Sequence, residues 1–494
     1  MQNLNESLQA KYPHLELAIL PLSQVNKDNE SKRIDSEYFK KEYLENEERL
    51  LNLNSVKLGK ICSFICNGDD CRDYKENGLK YIRTGDIKEY GLDLCNCATI
   101  RDDFISNIKL EIGDLLVTRK GNYGKSQVVN NIEILKSIVS SEIFQIKLKD
   151  INPYFVDVFL KTKFGQMQFE KNIHGVSNFS VTQESLLNFL IPLFPKPFQL
   201  EIEKLVKQSH EALEDSKRLY KEAQELLYKE LELDFKNPLE SLLKSSLQAK
   251  KASELAIIND ISKKYPHLNI SVRPLSKSLH KSGRLDSEYY QSKYDLMETK
   301  IKSFSHKKLG ELVSIQKSIE PGSEAYQDEG IEFVRVANLG KFGLSKSDIY
   351  LNEQDFSKEL KKLAPKKETI LLSKDGSIGI SYCLEEDLEC ITSGAILHLK
   401  VKDKREILPQ VLSLILNSIV VKLQAERDAG GSIISHWKIS EIEKVLIPLF
   451  DFKLQEQIAL KIQKSFTLRA KSKDLLEYAK IKVEQNIQTP ANQA

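Results

Sequence analysis

Gly121-Asn122-Tyr123-Gly124-Lys125-Ser126 combines glycine, lysine and a hydroxyl, the residue types with which a loop cradles a nucleotide phosphate. Asp114 with Gln145-x-Lys147 has the makings of a nuclease site, in which acidic groups hold a metal ion and a lysine steadies the scissile phosphate. Cys62, Cys66, Cys71, Cys95 and Cys97 could gather around zinc. Asn152-Pro153-Tyr154-Phe155 offers an amide and an aromatic of the kind that clasp a flipped adenine in DNA adenine methyltransferases.

The chain contains itself twice, and the second copy tests each of these. Lys11–Leu15 (KYPHL) returns at Lys264–Leu268, and Pro21–Ser23 (PLS) at Pro274–Ser276. RIDSEY at Arg33–Tyr38 returns as RLDSEY at Arg284–Tyr289, KLG at Lys57–Gly59 as Lys308–Gly310, and IPLF at Ile191–Phe194 as Ile447–Phe450. A period near 250 residues marks a duplicated domain and not a solenoid of small repeats. The phosphate loop fails twice: it needs a glycine where Arg119 stands, and the matching Gly376–Ser381 (GSIGIS) lacks the lysine. The nuclease triad meets Thr369 and His398-x-Lys400 in the other copy, so an ordinary strand face is expected. The cysteines lack C-x2-C spacing, and Cys62 and Cys66 align with Val313 and Lys317, which leaves buried or incidental thiols. Asn152-Pro153 lacks the second proline and faces Leu408-Pro409, so it is expected to open a helix. HExxH, a nucleophile elbow and a Rossmann fingerprint are all missing.

What recurs in both copies is a polar turn hinged by glycine after an apolar strand. Arg119-Lys120-Gly121-Asn122-Tyr123-Gly124-Lys125 puts bidentate, stacking and cationic groups on one turn, where glycine lets backbone approach a phosphate and Arg and Asn suit base edges. Lys374-Asp375-Gly376-Ser377-Ile378-Gly379 keeps the glycines and changes the side chains. Ser177-Asn178-Phe179-Ser180 is likewise replaced by Ser435-His436-Trp437-Lys438. A retained frame with an altered edge suits two modules that recognise different sequences; variable hairpin tips are the plainer alternative.

The elements that must position these turns follow one order in each copy. Short strands and turns come first, including Tyr81–Asp93 matched by Phe333–Ser345 and the strands Ile143–Leu148 and Ala395–Val401. A helix follows, then the polar loop, then IPLF. From about Gln199 to Leu231 no glycine or proline occurs, and Ile202, Val206, Ser209, Leu213, Ser216, Tyr220, Ala223 and Leu227 alternate in steps of four and three. The second copy runs less regularly through Ile458, Ile462, Phe466, Ala470, Leu476, Ala479 and Val483. Each helix needs a partner for its seam, and its own copy is the nearest available. The expected fold is α/β (α+β): two repeated globular domains joined by two long antiparallel coiled-coil helices, with approximate two-fold symmetry. The divisions expected are 1–32, 33–195, 196–236, 237–283, 284–450 and 451–494.

Composition bounds the rest. The chain is 41% hydrophobic and 29% charged with a formal net charge of +2, which disfavours a generic polyanion binder but leaves a local basic face open. The most apolar run, Ile407–Gln424, is broken by Pro409, Gln410, Ser413, Asn417, Ser418 and Lys422, so a buried helix is expected and no membrane span. No basic, apolar leader opens the sequence, and seven cysteines without one suggest free thiols in the cytoplasm.

In its order of parts the chain resembles the specificity subunits of type I restriction–modification enzymes. The features are the glycine turns RKGNYG and KDGSIG, the loops HGVSNFS and GGSIISHWKIS, and the IPLF–helix junctions with Gln199-x-x-Ile202 and Gln455-x-x-Ile458. The resemblance runs from about Arg33 to Ile487. It implies a non-catalytic subunit whose two target-recognition domains bind a bipartite, asymmetric site on double-stranded DNA, with the helix pair as a ruler. Two modification subunits that use S-adenosylmethionine to methylate adenine, and two restriction subunits that use ATP and Mg2+, are the implied partners; this chain would hold no cofactor or metal. The DNA-binding residues expected are Arg83, Thr84, Arg119, Lys120, Asn122, Tyr123, Lys125, Ser177, Asn178 and Ser180 in the first copy. In the second they are Arg335, Asn338, Lys374, Ser377, Ser432, Ser435, His436, Trp437 and Lys438. The RxDSEY blocks serve either partner docking or the start of each domain. A duplicated coiled-coil scaffold that never touches DNA is the alternative.

Overall fold

The structure is a computed structural model and describes residues 2–26, 29, 32–88, 91–92, 94, 97–173, 179–247, 284, 286–430 and 435–489. KYPHL at 264–268, PLS at 274–276, most of the 237–283 connector and Cys95 lie outside the described residues. The chain divides into two compact units, residues 1–214 with 468–494 and residues 215–467. Each therefore takes part of both long helices.

Both units are mixed α/β and share one topology, as the duplication requires. In the first, Cys62–Asn67, Ile143–Leu148, Leu115–Thr118 and Ser126–Val128 line up, in that order, as a four-stranded antiparallel sheet. In the second, Val313–Lys317, Ile396–Val401, Ile370–Ser373 and Ser381–Cys383 repeat it. A second four-stranded sheet accompanies each, with one parallel pair (Tyr81 opposite Ile138, Phe333 opposite Ile391). KLG and IPLF close each domain on itself: Val56 pairs with Ile191, and Lys307 with Ile447, in short antiparallel ladders.

Helices cover one face of each main sheet. Asn152 caps Pro153–Lys161, its Oδ1 accepting from the Tyr154 and Phe155 amides, so the Asn-Pro pair is a helix start. The apolar run of the second copy is two helices, Pro409–Leu416 and Ile419–Asp428, broken at Asn417-Ser418 as their counterparts are at Thr162. Every residue of Pro409–Leu416 is buried because the helix lies under the sheet. Among the described residues no helix is long and apolar enough to cross a membrane.

The long helices are Lys196–Glu230 and Phe452–Gln488. In each unit they pack antiparallel through a seam of small and apolar residues. In the first unit Ser209 Oγ donates to the Ser472 carbonyl at 2.7 Å; in the second Ser465 Oγ donates to the Ser216 carbonyl at 2.8 Å. Ser465 is the copy of Ser209 and Ser216 the copy of Ser472, so one contact is made twice with its roles exchanged. All four serines are at most 1% exposed. This corrects the expected second seam. Ala470 is exposed, and the buried positions run Ile458, Ile462, Ser465, Ser472, Leu476, Ala479 and Val483, a 4-3 pattern once Ser465 and Ser472 are counted. Lys482 pairs with Glu201, and Lys461 with Glu222, along the rims.

A buried glutamine fastens each long helix to its own domain. Gln199 Nε2 donates to the Phe194 carbonyl at 2.7 Å, and its Oε1 accepts from the Asn152 amide at 3.0 Å. Gln455 does the same with Phe450 and Leu408, and also donates to the Glu406 carbonyl, all at 3.0 Å. Replacing Gln455 by Leu would strand one buried donor and two acceptors. We expect Gln455→Leu to cost on the order of 3 kcal/mol and lower the melting temperature by several degrees in a thermal scan.

The main sheets differ at a buried polar position. Gln145 stands opposite Leu116 and Cys66 as His398 stands opposite Leu371 and Gln316, so Cys66 aligns with Gln316 rather than Lys317. Burial, with Lys400 nearby, pushes the His398 imidazole down to about 4 from its ordinary 6.5, and Thr392 Oγ1 lies 2.8 Å from its Nε2. The folded value is below the unfolded one, so only the unfolded chain takes up the proton as pH falls from 6.5. Stability is expected to drop through that window, down to about pH 4, by at most about 3 kcal/mol. Urea unfolding across pH should show this slope, and His398→Gln, the residue of the first copy, should flatten it.

Candidate nucleic-acid interface

Each glycine turn is held by backbone hydrogen bonds, one to the residue before the neighbouring strand and two to the later polar loop, and the same three recur in both units. Arg119 N donates to the Glu142 carbonyl at 2.9 Å, Gly121 N to Phe179 at 2.9 Å, and Val181 N to Arg119 at 2.8 Å. In the second unit Lys374 N donates to Ala395, Gly376 N to Ser435 and Trp437 N to Lys374, at 2.9, 2.9 and 2.8 Å. Lys120 thus bridges Ser180, and Asp375 bridges His436. Two segments some sixty residues apart in sequence form one composite edge because main-chain groups, indifferent to side-chain identity, join them.

The side chains on that edge differ. In the first unit Asn122 and Gly121 are exposed at the tip, while Lys120 and Lys125 are partly exposed. Arg119 lies over the Phe144 ring at 5.4 Å, its Nε buried without a hydrogen-bond partner. Tyr123 meets Phe179 edge to face at 6.3 Å, and burial, with Glu170 nearby, raises its phenol above the ordinary value. Phe179 is 43% exposed, an aromatic face the sequence expectation left out. Arg119, Lys120 and Lys125 make this turn cationic.

The second edge carries an anion instead. Asp375 pairs with Lys374 and accepts from His436 Nδ1 at 2.8 Å. Burial opposes its ionisation, but the hydrogen bonds from Lys374 and His436 outweigh that and hold its carboxyl below the usual range. Because a carboxylate only accepts, His436 carries its proton on Nδ1 and turns Nε2 outward. Ser377 is exposed, its carbonyl accepting from Ser373 Oγ at 2.6 Å, and Ser435 and Lys438 flank His436.

Three expected residues fall outside the described residues: Ser177, Asn178 and Ser432. Two others are corrected. Trp437 is 1% exposed and belongs to the hydrophobic core, because its backbone pairs with Lys374 and turns the indole inward. Asn338 is 8% exposed; its Oδ1 accepts from the Arg335 amide at 3.0 Å and its Nδ2 donates to the Lys346 carbonyl, which closes a turn. Arg335 pairs with Asp348 at 2.8 Å, Arg83 lies exposed beside Asp86, and Thr84 is half-buried. They sit on the neighbouring sheet's turn and not on the composite edge.

The rejected constellations are structural. Asp114 is buried and accepts from Gln145 Nε2 at 2.5 Å and Lys147 Nζ at 3.1 Å, and Lys147 also pairs with Glu111. Burial opposes the Lys147 charge, yet its two carboxylate partners raise it above the ordinary value. Among the described residues no group of three or more His, Cys, Asp or Glu could hold a metal ion.

The glycines of the turns carry positive φ, +67° and +75° at Gly121 and Gly124, and +71° and +80° at Gly376 and Gly379. A Cβ on Gly124 would lie 3.2 Å from Phe169 Cγ, whereas one on Gly379 meets nothing within 4 Å. Gly379→Ala should therefore cost about 1 kcal/mol for its backbone alone. Gly124→Ala should cost about 1 kcal/mol more, a difference that equilibrium unfolding of the two variants would resolve.

Three solved structures align with 88% of this chain. They are the S subunit of a type I restriction-modification system from M. genitalium (14% identity, 96% of that chain, TM-score 0.38), a chain from a study of type I R-M complex assembly (17%, 97%, 0.27) and HsdS from Thermoanaerobacter tengcongensis (16%, 97%, 0.25). No curated protein matches it. Residues 301–478 match the family described as type I restriction modification DNA specificity domain, a span that holds the second glycine turn, its loop and most of the second long helix. Residues 301–478 are thus similar to the family described as type I restriction modification DNA specificity domain.

Proposed function

We propose that the chain is the DNA sequence-specificity subunit of a type I restriction–modification complex. The observation that carries this reading is the composite edge, one backbone frame built twice with different side chains. Two such edges bind the two parts of an asymmetric site. The first presents Arg119, Lys120, Asn122 and Lys125 to phosphates and base edges, with Tyr123, Phe179 and Ser180 beside them. The second presents Lys374, Ser377, Ser435, His436 and Lys438. Arginine and asparagine make bidentate contacts to guanine and adenine, so the first edge can discriminate bases directly.

Chemistry belongs to partners in this reading. Modification subunits methylate adenine with S-adenosylmethionine, restriction subunits use ATP and Mg2+, and this chain decides where both act without being catalytic. Its near-neutral total charge, +2, fits a subunit that shares phosphate contacts with partners.

Methylation mapping in cells carrying the chain with its modification subunits tests this. The expected result is one bipartite motif. Asn122→Ala should relax a single position in one half by roughly 1–3 kcal/mol of discrimination, and Ser377→Ala should affect only the other half. Absence of a bipartite motif, or a change in both halves from one substitution, would overturn the assignment.

A further inference from the structure

RIDSEY and RLDSEY have no place in the edge described above, yet both make the same contact. Arg33 forms a two-pronged pair with Asp35, Nη2 to Oδ1 at 2.6 Å and Nε to Oδ2 at 2.8 Å. Its remaining nitrogen, Nη1, donates to the carbonyl of Ile173 at 3.0 Å and approaches that of Lys171 at 3.5 Å. Arg284 repeats the fork on Asp286, at 2.7 and 3.0 Å, and its Nη1 donates to the Arg427 carbonyl at 3.4 Å. Each guanidinium also covers the tyrosine of its own block, Tyr38 at 5.2 Å and Tyr289 at 4.7 Å. The same aspartate accepts from that tyrosine's amide, which fixes the block's own turn.

The carbonyls reached are those at the end of the helix that leads into the polar loop. Lys171 ends the helix Lys163–Lys171, and Arg427 lies in the last turn of Ile419–Asp428. Helix ends leave carbonyls unpaired and carry partial negative charge, so a cation there both satisfies and orients them. Lysine 171 adds to the clamp by lying over Tyr38 at 4.9 Å and pairing with Glu47; Arg427 does so by lying over Tyr289 at 5.7 Å. Beyond these ends the chain reaches Phe179 and Ser435, whose carbonyls receive the amides of Gly121 and Gly376. The arginine therefore stands at one support of the composite edge and the glycine turn at the other.

We propose that Arg33 and Arg284 are positioning residues for recognition, each setting the helix end from which its own domain's edge is hung while contacting no DNA itself. The inference rests on the DNA-specificity reading. It assigns the two RxDSEY blocks to half-site recognition, one block to each half.

The test uses the full chain with its modification subunits and maps methylation for wild type, Arg33→Ala, Arg284→Ala and Arg33→Lys. The wild type serves as the control for the parent reading: without a bipartite motif, that reading fails before the variants are compared. Given a motif, Arg33→Ala is expected to lower discrimination in one half about tenfold, near the penalty of a single mismatch, with the other half unchanged. Arg284→Ala should do the converse, and Arg33→Lys, which keeps a cation within reach of the Ile173 carbonyl, should restore part of the loss. A general loss of stability would lower methylation at every site equally. That result, or an unchanged motif in both alanine variants, overturns the proposal. Should Arg33→Ala fail to accumulate, Asp35→Asn, which releases the fork but keeps the arginine, is held to the same half-selective outcome.

Discussion

One side chain at the foot of each long helix fixes the geometry on which the rest of its domain depends. Gln199 and Gln455 are 7% and 2% exposed, and each joins three elements: its own helix, the end of IPLF and the helix that follows the main sheet. An amide can donate and accept at once, which no apolar residue of similar size can do. Buried polar groups are costly when unpaired, so the arrangement holds only while all three elements keep their places. The composite edge is thereby referred to the helix and not to a loose linker. Glutamine at this point converts apolar packing, which tolerates sliding, into a directional joint.

Duplication exposes which interactions the fold needs and which it merely allows. Backbone joints are retained atom for atom from turn to loop and from KLG to IPLF; the arginine at the helix end keeps its fork but takes the Ile173 carbonyl in one copy and the Arg427 carbonyl in the other. Buried side-chain pairs are exchanged as sets. Ser126 donates to Asp157, itself paired with Lys161, where the second copy has Ser381 beside Ser413 at 3.0 Å. The Asp114–Gln145–Lys147 cluster is replaced by Thr369 and by His398 with Thr392. In each case the chemistry changes: a charged pair in one copy gives way to neutral groups in the other, and Thr369 Oγ1, in the place of Asp114, is buried without a hydrogen-bond partner. The composite edge changes its side chains too, and at the surface, where no packing restrains the change, the charge reverses from Lys120 to Asp375.

The residues that misled the sequence reading did so for related reasons. The expected second seam passed over Ser465 and Ser472 and took Ala470, which is exposed; Phe466, also expected there, is buried and stacks on Tyr220 of the other long helix. The close approach of two helix backbones favours serine: Ser465 Oγ donates to the Ser216 carbonyl, and Ser472 Oγ lies 2.8 Å from Ser209 Oγ. Trp437 sits in a polar loop between His436 and Lys438, yet the strand-like pairing of that loop alternates its side chains, so His436 faces out and Trp437 in. Asn338 had the composition of a base reader and is a turn closure. Phe179, which had no chemistry to recommend it, gains exposure because Gly121 holds its backbone at the edge.

The sequence by itself determined the duplication, the order of elements, the helix start at Asn152-Pro153 and the first helical seam, since repetition, capping chemistry and 4-3 spacing are local or internal properties of the chain. It also spoke against the phosphate loop and the flipped-base motif, since one lacks a glycine at Arg119 and the other a second proline after Pro153, and neither recurs in the other copy. Only the tertiary structure decided which polar residues face solvent, which serines meet across the helix pair, and where the RxDSEY arginines reach. Arg33 and Ile173 are 140 residues apart, and no periodicity links them. Such contacts arise when separately specified elements are packed together and their leftover donors and acceptors must find one another.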